Sequence, residues 1–151
     1  MYILDVKMSV QLLQALVQRL QGDETTLEMT GYLSELDTHL LPEAKFSDWP
    51  RSGGERGVDI PLTEDNVKTL VRSILPRVGL RKKIHTIRIL HDNKLLFYAE
   101  DNFMQWAGVE GRYNKGAGVT SKIESAFLDE LVAKGILRNY SLHEPPSEHW
   151  E

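Results

Sequence analysis

The chain has 151 residues, 41% of them hydrophobic and 26% charged, the size and composition of a single globular domain. It has no cysteine, which excludes disulfides, thiolate nucleophiles and cysteine-ligated zinc together. Its 18 Lys and Arg stand against 22 Asp and Glu, and a net charge of −4 argues against broad affinity for nucleic acid.

Residues 2 to 8 alternate, with Tyr2, Leu4, Val6 and Met8 against Ile3, Asp5 and Lys7, which is the period of a strand. Ser9 is expected to cap a helix whose apolar face is Val10, Leu13, Leu16, Val17 and Leu20, with Gly22 at its stop. A second strand alternates through Leu27, Met29, Gly31 and Leu33. From position 42 to 57, prolines, glycines and charges break every period, so a long loop is predicted there. Val58, Ile60 and Leu62 suggest a short strand after it.

Thr63 caps the next predicted helix, Glu64 and Asp65 suit its positive end, and Pro76 closes it. Its buried stripe is Val67, Leu70, Val71, Ile74 and Leu75. A hairpin follows, turning at Asp92-Asn93, in a register that sets Ile87 opposite Tyr98, Arg88 opposite Phe97 and His85 opposite Glu100. Positions 102 to 119 read as a second loop with a glycine-rich end. Thr120 or Ser121 is expected to cap a third helix, Ser121 and Glu124 forming a capping box. That helix has an apolar face of Ile123, Phe127, Leu128, Leu131 and Val132, and a last strand spans 136 to 142. The order is β-α-β-β-α-β-β-α-β. This is an α+β domain over 1–142, its sheet mixed or mostly antiparallel with three helices packed against it, followed by a frayed polar tail at 143–151.

Sites of known chemistry are scarce. Six residues separate His85 from His91, about 20 Å along a strand, too far for one metal ion, and no HExxH spacing occurs. No metal or other cofactor is expected. His85 beside Glu100 is the one pairing placed for acid–base work, and no GxSxG nucleophile motif is present. A glycine-rich run ahead of a helix N-terminus offers a site for phosphate or another anion, built from Gly116 and Gly118 with Arg112, Lys115 and Lys122. The Walker pattern fails there because Ala117 follows Gly116 where lysine is required.

The charge map is uneven. Residues 66 to 90 hold seven basic side chains and no acidic one, which leaves 11 basic against 22 acidic elsewhere. A positive patch on a negative body attracts acidic partners. The contacts expected to carry it are Arg72, Arg81, Lys82 and Lys83, with Arg51 and Arg56 from the long loop. The reading is a non-catalytic cytoplasmic interaction protein that binds an acidic protein, such as an inhibitor or an immunity-type protein. The alternatives are a nucleic-acid or phosphate-ligand binder using the same stretch, and an enzyme with a site at His85 and Glu100. No apolar run approaches the ~20 residues needed to cross a bilayer, so no membrane partner is expected.

Overall fold

The strand periods of two set the architecture: each strand turns one row of side chains inward and the next row outward. The computed structural model describes residues 1–33, 36, 38–47, 56–77, 84–100, 105–107 and 113–143. In chain order these form β1 (Tyr2–Val6), α1 (Ser9–Leu20), β2 (Thr25–Gly31), a short 3-10 turn, β3 (Lys45–Ser47) and β4 (Arg56–Pro61). Then come α2 (Glu64–Thr69), extended by a π turn over Leu70–Ile74, and the hairpin β5 (Ile84–His91) and β6 (Lys94–Ala99). The rest are β7 (Gln105–Ala107), β8 (Tyr113–Lys115), β9 (Ala117–Val119), α3 (Ser125–Ala133) and β10 (Leu137–Leu142). Eight strands join in the order β10-β1-β9-β6-β5-β2-β4-β3, every described pairing antiparallel, while β7 and β8 pair with each other. The α+β class read from the sequence is the class found. Four short strands, β3, β7, β8 and β9, are additions to the expected order.

One face of the sheet is apolar from edge to edge. Ile60, Leu27, Ile89, Phe97, Val119, Tyr2 and Leu142 form a single cross-strand row, each opposite the next. The first five are wholly shut from solvent. Against them pack Leu12, Leu13, Leu16 and Val17 of α1, Val67, Leu70, Ile74 and Leu75 around α2, and Leu128 and Leu131 of α3. One cluster holds all three helices, so they share a face. Each fully buried Leu or Ile contributes about 2 kcal/mol of transfer free energy. Polar ties align the layer: Gln14 donates to the Val71 carbonyl at 2.9 Å, and Arg19 reaches Glu124 at 3.2 Å.

Several local expectations are corrected. Ser9 is the first helical residue and not the cap of α1; the entry is held by backbone, Lys7 and Met8 both donating to the Ile136 carbonyl at 3.0 Å. Thr63 does cap α2, its hydroxyl accepting from the Asn66 amide at 3.2 Å. The buried Asn66 also donates to the Pro42 and Pro61 carbonyls, fastening the turn after the 3-10 segment onto the end of β4. Ser121 caps nothing: Thr120 donates from its amide to Leu96 and Ile123 to Thr120, so the chain makes a separate turn and α3 starts after Glu124. Gly135, at φ 75°, ends α3 in the left-handed conformation, as its glycine requires.

The predicted loop at 42–57 contains β3, and β4 already begins at Arg56; residues 48–55 lie outside the described ones. The glycine-rich stretch is corrected more strongly. Ala117–Val119 is an interior strand lying between β1 and β6. Gly118 sits opposite Tyr98, and a Cβ added to it would lie 2.7 Å from Tyr98 Cε1 and 3.2 Å from the Tyr2 carbonyl oxygen. The glycine is there because the tyrosine ring lies on its backbone.

The hairpin turns at Asp92-Asn93 as expected, at φ 50° and 63°. Its register holds only for Leu90 opposite Leu95 and His91 opposite Lys94. A bulge then adds Leu96, so that Ile89 faces Phe97, Arg88 faces Tyr98 and Ile87 faces Ala99. Phe97 thereby joins the apolar row, where the unbulged register would have set it against Arg88. Gly118→Ala is expected to destabilise the fold by about 2 kcal/mol through overpacking, read as a lower midpoint in a denaturant melt. An unchanged midpoint would mean the ring does not rest on Gly118.

Candidate functional site

The face opposite the helices carries a second unbroken row, and it is polar at one end. Lys45, Asp59, Glu28, Arg88, Tyr98, Gly118, Ile3 and Ser141 oppose one another in sequence, one from each strand of the large sheet. The alternation that buries Leu27 and Met29 turns Glu28 outward. The same rule, with the bulge, turns Arg88 outward between the buried Ile87 and Ile89.

Arg88 Nη2 donates to Glu28 Oε1 at 3.2 Å and stands 3.0 Å from Oε2. Oε2 is shut from solvent and has no aligned donor among the described residues. Burial pushes the Glu28 carboxyl above its ordinary value; the Arg88 charge opposes this and Asp59, directly across the strand, adds to it. Tyr98 is pushed up to about 12, first by burial and then by the Glu100 charge.

Two depressions open in this face and share Glu28, Asp59 and Arg88 as their common wall. The larger, about 910 Å³, is rimmed by Glu24, Glu43, Lys45 and Asp92, with Leu90 and Pro61 in its lining. The smaller, about 460 Å³, extends past Thr30 and Thr86, whose hydroxyls are hydrogen-bonded, to Tyr98 and Glu100. Six carboxylates thus line the two depressions, Glu24, Glu28, Glu43, Asp59, Asp92 and Glu100, against the cations Lys45 and Arg88. The trough is anionic.

The basic stretch is divided between layers. Arg88 lies on the polar face, paired with Glu28. Lys68 is on α2, across the sheet, paired with Glu64 at 3.5 Å. Arg72, in the π turn after α2, and Arg77 are exposed. Arg56 begins β4 with its guanidinium 4.5 Å from the centroid of the Phe46 ring. Arg51, Arg81, Lys82, Lys83 and Arg112 lie outside the described residues. For the anion reading, Gly116 and Gly118 are buried at and in an interior strand, Lys115 belongs to β8, and Lys122 is exposed in the turn before α3. Those glycines do not sit at a helix N-terminus. His85 packs edge-on against Tyr32, centroids 5.4 Å apart, while Glu100 lines the smaller depression with Thr86; the bulge at Leu96 shifts the hairpin register by one residue, away from their expected pairing. No group of three metal-ligating side chains occurs among the described residues, and none of their helices is long and apolar enough to cross a membrane.

Sequence reasoning passed over Glu28 and Asp59. The signal for them was the polar half of the alternation that located the core in TTLEMTG and RGVDIP. Comparison with family models, curated proteins and solved structures finds no match for this chain.

A carboxyl whose pKa is raised on folding binds its proton more tightly in the folded state. It contributes most stability at low pH and loses it as pH rises through the window above 4.5. Glu28→Gln is therefore expected to remove part of the stability loss between mildly acidic and neutral pH, read as a flatter difference curve in chemical melts. An identical pH slope in the variant would contradict the buried position of this carboxyl. Phenolate absorbance is expected to show a tyrosine ionising near pH 12 that Tyr98→Phe abolishes; retention of that step in the variant would reassign it.

Proposed function

We propose that this chain is a non-catalytic cytoplasmic interaction protein that docks a basic macromolecular partner on the polar face of its sheet. The observation that carries this reading is the excess of carboxylates over cations around two adjoining depressions on an eight-stranded platform. Charges gathered on one face steer an oppositely charged partner and raise its association rate. The apolar floor at Leu90 and Pro61 supplies the desolvated contact that charge alone does not. The absence of cysteine fits a reducing compartment. Occluding the partner, as an inhibitor does, needs nothing beyond this surface.

A second reading, an acidic partner held by the basic stretch, draws on Arg72 and Arg77, both exposed at the end of the α2 segment. Two polymers of opposite charge separate the readings. Polylysine is expected to bind at low salt, and reversing Glu24, Glu43 and Asp92 to Lys is expected to slow its association roughly tenfold and flatten its salt dependence. Reversing Glu64, Asp65 and Glu130 on the helices changes net charge equally and is expected to cost much less. Equal losses from the two triple variants would reject the trough. Binding of polyglutamate that is lost in Arg72→Glu with Arg77→Glu would favour the second reading.

A further inference from the structure

The two edges of the large sheet are protected very differently. β3 is three residues long and begins with Lys45, two of the devices that keep an edge from pairing with another chain. β10 runs for six residues with neither lysine nor proline. Its one formal charge, Arg138, is turned back to Asp5 Oδ1 at 3.2 Å and to the Val6 carbonyl at 3.0 Å. Among the described residues β10 has a strand on one side only.

The ladder also tells which backbone groups face outward. Met1 and His143 exchange both of their bonds, the His143 amide to the Met1 carbonyl at 2.8 Å and the Met1 ammonium to the His143 carbonyl at 3.0 Å. In an antiparallel pair such residues alternate with ones that do not bond inward. The N–H and C=O groups of Leu142 and Tyr140 therefore point away from β1. Both side chains lie on the helix side, opposite Tyr2 and Leu4. Leu142 is 65% exposed, the most exposed of the large hydrophobic residues described. Tyr140 is held by its hydroxyl bond to Asp129 at 2.5 Å and by an edge-on contact with Tyr2.

We propose that β10 pairs antiparallel with β10 of a second copy of this chain, Tyr140 of each copy opposite Leu142 of the other. A two-fold axis through this register lets the outward groups of Tyr140 and Leu142 bond each other reciprocally, as an isologous contact demands. It covers the exposed Leu142 with a tyrosine ring already fixed in place, a favourable kind of cross-strand pair. No like charges meet, because the strand presents only Arg138 and that cation is turned inward. The two sheets become one continuous sheet, with each trough at the end remote from the junction.

Sedimentation equilibrium of the full chain from low to high micromolar concentration tests this directly. The wild type is expected to reach twice the chain mass. Leu142→Pro removes an outward amide without breaking a bond to β1, and Leu142→Lys places a charge on the two-fold contact; both are expected to stay monomeric with unchanged circular dichroism. Leu40→Lys, at another exposed leucine (52%), is expected to leave the dimer intact. A wild type that stays monomeric throughout, a dimer that survives both Leu142 variants, or equal loss in Leu40→Lys would each overturn the proposal.

Discussion

Everything on the polar face depends on the apolar row beneath it. Leu27, Ile89, Phe97 and Val119 must sit opposite one another under the helices, and a strand slipped by one residue would turn its whole apolar set to the other side. Once that row is fixed, the pleat fixes its neighbour. Glu28, Arg88 and Tyr98 have no choice but to line up across the sheet with Asp59 on one side and Gly118 on the other. Glu28 and Asp59 are held on this face by the burial of their strand neighbours Leu27, Met29, Val58 and Ile60.

The bulge at Leu96 is the device that reconciles the two demands on the hairpin. A two-residue turn at Asp92-Asn93 sets one register near the tip, and the core requires Phe97 in line with Ile89. One extra residue absorbs the mismatch. The same one-residue correction separates His85 from Glu100 and gives Arg88 a tyrosine neighbour in place of a phenylalanine. Farther along, the tyrosine ring requires a glycine beneath it, so the row closes over Gly118. A short glycine-rich run reads as a flexible loop in sequence and serves here as the thin middle of a sheet.

How much of this was legible varies with the range of the interaction. The helices were readable because their apolar stripes are local: the predicted stripe of α2 and its Thr63 cap are the ones found. The starts of α1 and α3 were not, because the chain ahead of each is positioned by backbone bonds to distant residues, Lys7 and Met8 to Ile136 before α1 and Thr120 to Leu96 before α3. Strands of three residues carry too little periodicity to announce themselves, and β9 had only Ala117 and Val119 around a glycine. The basic stretch was a true feature of the sequence, yet strand alternation places Arg88 across the sheet from Lys68. Charge density along a chain does not translate into charge density on a surface until the pleat is known.

The register of β5 against its neighbours is where these claims meet, and it can be measured without any partner or substitution. Cross-strand backbone nuclear Overhauser contacts report which residues lie opposite Arg88. The structure requires contacts from Arg88 to Tyr98 on one side and to Glu28 on the other. Contacts from Arg88 to Phe97 instead would put the guanidinium opposite a core residue, dissolve the row, and leave the trough without its central wall.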